Sequence, residues 1–179
     1  AMPGKTKEGD TVDVNFFIDP GTRAYVRRIN ISGNITTQDE VLRREIRQME
    51  GGWYSSSAIL LSKKRLERLA YVDNVIVKEV RVPGSTNKID LNVSVKEKLS
   101  GNFNIGAGLG GSGTGLSLSA GIEQDNFLGF GSKVAINVDT GKTSKNYSFS
   151  FYNPYHNLDS VSRSFGFNVQ TTKTDNTDT

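Results

Sequence analysis

Hydrophobic and polar positions follow one rule up to about Lys98 and another beyond it. Residues 12–18 (VDVNFFI) alternate, with Val12, Val14, Phe16 and Ile18 on one side and Asp13, Asn15 and Phe17 on the other. That period of two predicts a half-buried strand, closed by the turn residues Asp19-Pro20-Gly21. A second strand is predicted at about 24–32, with Tyr25, Arg27, Ile29 and Ile31 on one face and Gly33-Asn34 at its end. The period then becomes helical. Thr37 and Glu40 have the spacing of a capping box, in which each side chain satisfies a free backbone N–H at a helix start. Leu42, Ile46 and Met49 form its apolar stripe, and Gly51-Gly52 stop it. The serines at 55–57 offer caps for a second helix with Ile59, Leu66 and Leu69 inward. Residues 75–82 (VIVKEVRV) and 89–95 (IDLNVSV) predict two more strands around a turn at Val82-Pro83-Gly84. In the second of these, Ile89, Leu91, Val93 and Val95 point inward. Strand, helix, helix, strand, strand packs as a three-stranded sheet with two helices on one face, an α+β domain. About 75 residues suffice for such a domain to fold alone.

Beyond Lys98 the helical periods stop and alternating segments of roughly ten residues follow. Phe103, Ile105, Ala107 and Leu109 alternate with Asn102, Asn104, Gly106 and Gly108. Leu116, Leu118, Ala120 and Ile122, then Val134, Ile136 and Val138, then Tyr147, Phe149 and Phe151, then Phe165, Phe167 and Val169 repeat the pattern. One face is apolar and the other is Ser, Asn and Gly, with few charges. A soluble sandwich also alternates. Apolar-out, polar-in strands of this length, with aromatic residues near their ends, are the signature of antiparallel transmembrane barrel strands. Five strands do not close a barrel, for which eight is the usual minimum. The expected organisation is 1–22, a vector remnant (Ala1, Met2) and the last strand of a preceding domain; 23–99, the α+β domain; and 100–179, the first strands of a truncated barrel.

Charge and glycine step at the same place. Residues 1–100 hold 17 Lys+Arg against 13 Asp+Glu and 7 glycines; residues 101–179 hold 5 against 6, and 12 glycines. The pI of 9.1 raises nucleic acid as a partner. The basic residues, however, are interleaved with acids, as in Arg43-Arg44-Glu45 and Lys64-Arg65-Leu66-Glu67-Arg68, the pattern of a solvated helix face. No cysteine is present, which excludes disulfides and thiolate metal sites, and His156 is the single histidine. No stretch of 18 apolar residues predicts a spanning helix.

Candidate chemistry is sparse. Residues 106–111 (GAGLGG) match G-x-G-x-x-G, but a nucleotide site needs a helix after the loop, and a turn and a strand follow instead. No cofactor is expected. No nucleophile is paired with a base, and no enzymatic activity is expected. His156 falls in the turn Asn153-Pro154-Tyr155-His156-Asn157. Trp53 and Tyr54 stand between the helices, where core packing is the expectation. Arg43, Arg44, Arg47 and Glu50 lie off the Leu42/Ile46/Met49 stripe, as either a solvated face or a partner-binding edge.

Several segments together resemble a known family. Val26-Arg27-Arg28-Ile29 with Gly33-Asn34, residues 42–51 (LRREIRQMEG), Val82-Pro83-Gly84 and Val95-Lys96-Glu97 resemble the last POTRA domain of the BamA family of outer-membrane β-barrel assembly proteins. Residues 101–108 (GNFNIGAG) resemble its first barrel strand. Residues 124–131 (QDNFLGFG) resemble the periplasmic turn after the second, and Asn153-Pro154-Tyr155 the turn after the fourth. The resemblance implies a non-enzymatic insertase subunit in the outer membrane, with the POTRA domain in the periplasm. It implies that Glu50 and Arg43, with Arg47 beside them, contact an accessory lipoprotein, BamD. It also implies that Asn102, Phe103, Asn104, Ile105, Gly106, Ala107 and Gly108 form a strand edge that pairs with unfolded outer-membrane client chains. Lipid, lipoproteins and clients are then the partners. Unpaired edges predict self-association of a chain cut at this length. Related secretion or translocation transporters share the weaker parts of the pattern.

Overall fold

The computed structural model describes residues 4–8, 11–15, 23–110, 115–157 and 161–173. Near the start, β1 (Gly4–Glu8) and β2 (Thr11–Asn15) pair as an antiparallel hairpin, Gly4 opposite Asn15. The expected strand 12–18 is therefore paired over its described part with a segment that the alternation did not single out; residues 16–18 lie outside the described residues.

The α+β domain has the expected order: β3 (Tyr25–Ser32), α1 (Asp39–Arg43), α2 (Ser56–Glu67), β4 (Val72–Arg81) and β5 (Lys88–Glu97). β5 is central, parallel to β3 and antiparallel to β4. Its unbroken alternation explains this place: Leu91, Val93 and Val95 are all buried, and they face Leu66 of α2 and Leu42 of α1 in a single core. Each such side chain contributes roughly 1.5–3 kcal/mol. β3 departs from its pattern. A bulge between Val26 and Arg28 shifts the phase, so Val26 and Ile29 are buried. Arg27 turns to the other face, where its Nε donates to Asp90 Oδ1 at 2.9 Å.

The first helix is much shorter than its stripe predicted. α1 ends at Arg43, and Glu45 and Ile46 turn back onto Leu42 and Arg43 by tighter bonds. The Arg47 N–H is captured by Ser62 Oγ of α2 at 2.8 Å. The buried Gln48 side chain then organises the loop, accepting from Ser55 N–H (3.0 Å) and donating to the carbonyls of Met49 (3.1 Å) and Trp53 (2.9 Å). Met49 is consequently 77% exposed and not part of the stripe. The capping box is also absent: Gln38 is the N-cap, with no side-chain cap bond, and Thr37 is engaged elsewhere. By contrast Ser55 caps α2, accepting from Ala58 N–H at 3.3 Å. Trp53 is exposed, edge-on to Tyr25 and covered by Arg23, so core packing is not its role.

The remaining strands are β6 (Gly101–Gly110), β7 (Gly115–Phe127), β8 (Ser132–Gly141), β9 (Ser144–Asn153) and β10 (Arg163–Thr172). They form one open antiparallel meander in chain order, with β6 and β10 at its edges. Among the described residues, no helix is long and apolar enough to cross a membrane, which has no bearing on strands.

Candidate functional site

Register turns the alternation of single strands into continuous rows. Phe103, Ile122, Ile136, Phe149 and Phe167 lie side by side across all five strands. One step along on the opposite face run Asn104, Gly121, Asn137, Ser148 and Asn168. The apolar rows are exposed: Phe103 is 67% and Ile105 74% accessible. Phe149 stacks on Phe167 at 5.4 Å and Phe151 on Phe165 at 5.1 Å. A continuous apolar face in water is untenable at this size; in lipid it is the outer wall of a barrel.

The sequence-derived strand edge, residues 102–108, is all within β6, whose inner side pairs with β7 and whose outer side has no partner among the described residues. Its small residues have a local reason. A Cβ at Gly106 would crowd Ser119 Oγ, and one at Gly108 would press on Ser117 Oγ. β6 and β7 therefore meet through glycine against serine, with little side-chain packing on that face.

Of the expected lipoprotein contacts, the structure brings Arg43 and Glu50 together and separates Arg47. Glu50 Oε1 accepts the Ile29 N–H at 2.7 Å, Arg43 Nη2 donates to the Ile29 carbonyl at 3.3 Å, and the two side chains approach to 3.4 Å. Arg43 Nε also bonds Asp39 at 2.9 Å. That bond leads in raising the Arg43 pKa above its ordinary value, against an opposing push from burial. Both side chains are about half exposed. Arg47 lies on the other side of Arg43, with Arg44 and Tyr155.

A third constellation joins the domain to the barrel strands. Asn126 is buried, with φ +59°; its Nδ2 donates to Thr37 Oγ1 at 2.8 Å and its Oδ1 accepts the Gly131 N–H at 2.8 Å. Gln38 N–H donates to the Gly129 carbonyl at 3.0 Å. Gly129 has φ +82°, and a Cβ there would overlap the Thr36 carbonyl. The loop before α1 is held in turn by Glu97, whose carboxylate accepts from the N–H groups of Ile35, Thr36 and Thr37 at 3.2, 2.9 and 2.8 Å. Sequence reasoning singled out 124–131 only as a motif. Its signal for this junction was two glycines and an asparagine in a turn, residue types that tolerate positive φ.

A small α+β domain whose last strand runs straight into an open meander with an apolar outer face defines the class: an outer-membrane protein with a POTRA domain ahead of a β-barrel. Residues 24–98 match the POTRA family, described as surface antigen variable number repeat. The chain is 43% identical over 94% of its length to outer membrane protein assembly factor BamA of Neisseria meningitidis, covering 21% of that protein. It matches the crystal structure of Haemophilus ducreyi BamA lacking POTRA domains 1–3 with a TM-score of 0.83 and 41% identity, over 96% of this chain and 32% of that one. CdiB from Escherichia coli shares the fold alone, at 13% identity and a TM-score of 0.56, over 86% of this chain and 30% of that one. The chain matches BamA relatives over a POTRA domain and the barrel strands that follow it. It spans about a fifth of the length of the curated relative and about a third of the solved chain.

Proposed function

We propose that this chain is the part of an outer-membrane assembly factor that joins the periplasmic POTRA domain to the strand receiving client barrels. The observation that carries the reading is β6: an edge strand with no outer partner among the described residues, joined to β7 by glycine against serine. Glycine removes side-chain packing and loses more entropy on ordering, so such a strand opens readily. Its free backbone then accepts an incoming strand by β-augmentation, in which main-chain bonds supply affinity and alternate side chains supply choice. This suits clients of differing sequence. The work is strand pairing, not bond chemistry. Lipid contacts the apolar rows, and the POTRA domain recruits an accessory lipoprotein of the BamD kind through Arg43 and Glu50.

These 179 residues hold no cysteine, and any elsewhere in the full-length protein are replaced for the test. In the full-length protein, a cysteine at Asn104 is expected to cross-link to cysteines stepped along the last strand of a stalled client, with a period of two. Cross-links confined to 132–139, or none, remove β6 from this role, as does a transporter whose substrate never pairs laterally.

A further inference from the structure

The turn after β9 lies under the first helical segment of the POTRA domain, and between them is a cavity of about 470 Å3. Glu40, Arg43, Arg44 and Arg47 wall it on one side, and Tyr155, His156 and Asn157 on the other. Arg43 is already engaged by Asp39 and Glu50. Arg44 lies flat on Tyr155, its guanidinium carbon 4.3 Å from the ring centroid, and its Nε is buried with no hydrogen-bond partner. Arg47 donates through Nη1 to the Arg44 carbonyl at 3.2 Å. Among the described residues, neither Arg44 nor Arg47 makes an ion pair. The buried Glu45 is taken by Arg65 at 2.8 Å, and Arg65 also donates to the Tyr155 hydroxyl at 3.1 Å. Among the described lining residues, Glu40 is the one acid beside the three arginines.

Two guanidinium groups without an ion-pair partner among the described residues, at the wall of one open cavity, favour an anionic occupant. A group with several anionic oxygens on a compact centre suits forked donors best. The location narrows the source. Tyr155 lies two residues past the end of β9, and Phe149 and Phe151 of β9 lie in the outer apolar rows with Phe165 and Phe167. The cavity therefore sits just past the POTRA-side ends of the lipid-facing strands, at the depth of headgroups, where Tyr and Arg together are favoured.

We infer that this cavity is a phosphate site for a membrane phospholipid, with Arg44 and Arg47 as donors to the headgroup phosphodiester. The inference rests on reading β6–β10 as membrane-spanning strands. Occupied, the site ties the POTRA domain to the inner leaflet beside the strands it serves.

The full chain in a non-ionic detergent is titrated with short-chain phosphatidylglycerol and, separately, with inorganic phosphate, following the arginine Nε–Hε signals by NMR. The lipid is expected to shift Arg44 and Arg47 saturably, and phosphate to do so more weakly. Arg47→Gln, at an exposed position that leaves the Arg44–Tyr155 stack in place, is expected to weaken lipid binding about tenfold, the loss of one charge-assisted hydrogen bond. Arg81→Gln, on β4, serves as the control and leaves binding unchanged. Equal response to inorganic phosphate overturns the lipid source. No shift at Arg44, or full affinity in Arg47→Gln, overturns the site. A chain that stays monomeric without detergent counts against membrane-spanning strands, which separates failure of that reading from failure of the site.

Discussion

Arg43 and Glu50 close on the two backbone groups of one residue: Glu50 accepts the Ile29 N–H at 2.7 Å and Arg43 reaches the Ile29 carbonyl at 3.3 Å. At that point they replace a neighbouring strand on the outer side of β3. The chain just after them completes the cover, since Gly51 and Gly52 bond Val26 and Tyr54 bonds Ala24. An edge dressed in this way resists adventitious pairing. The sequence offered the two charges as part of a solvated face or of a partner-binding edge; the structure uses both to finish a sheet edge while about half of each side chain stays exposed.

Glu50→Lys therefore acts twice. It is expected to abolish lipoprotein binding and also to destabilise the domain by about 1–3 kcal/mol, because the Ile29 N–H loses its acceptor. Glu50→Gln keeps an acceptor, and is expected to lose binding with little change in stability. Calorimetric titration with the lipoprotein, alongside denaturant unfolding, separates the effects. Equal stability of Glu50→Lys and the parent shows that the bracket on Ile29 contributes nothing.

Glu97 makes stability depend on pH. Burial pushes its pKa up, but bonds from Thr37 and the backbone N–H groups of 35–37 outweigh that and hold it below the ordinary carboxylate value. A depressed folded-state pKa gives stabilisation that is complete above the unfolded value, about 4.3, and lost as pH falls through the folded one. Denaturation midpoints measured from neutral pH downward are expected to fall below about pH 4.5, and Glu97→Gln to flatten that dependence. The same slope in both chains assigns the titration to another group.

Gly129→Ala places a side chain at φ +82° against the Thr36 carbonyl. Strain of this kind costs about 1–3 kcal/mol, and here it falls on the junction, not on either sheet. The Gln38 amide, bonded to the Gly129 carbonyl, is expected to lose hydrogen-exchange protection while amides of β5 and β8 keep theirs. Global loss of protection indicates that the two parts unfold together.

The edges of β6 and β10, unpaired among the described residues, and the exposed apolar rows predict that the chain self-associates in plain buffer and disperses in detergent. Light scattering of the two preparations checks this. A single monomeric species without detergent contradicts a lipid-facing surface.

Strand positions were the most legible feature, because alternation is local: the period of 89–95 alone placed Leu91, Val93 and Val95 in the core. The rows of β6–β10 were equally legible, since each strand carries its own inner and outer face. Helix α1 was not. Its stripe through Leu42, Ile46 and Met49 is genuine as spacing, but Ser62 of α2 captures the Arg47 N–H and the buried Gln48 gathers the next loop. Those competitors are distant in sequence and invisible to a local period. The bulge beside Arg27, which reassigned the faces of β3, was hidden for the same reason.

What the sequence determined by itself was therefore each segment's type, the change of period near Lys98 and the outward face of the barrel strands. Local sterics and side-chain alternation suffice for these. The tertiary structure alone decided which polar groups meet. It put Thr37 on Asn126 instead of a helix cap, Glu50 with Arg43 on Ile29, and Arg47 beside Tyr155. A buried or edge hydrogen-bonding group takes whichever partner the packing brings within reach, and packing is a property of the whole chain.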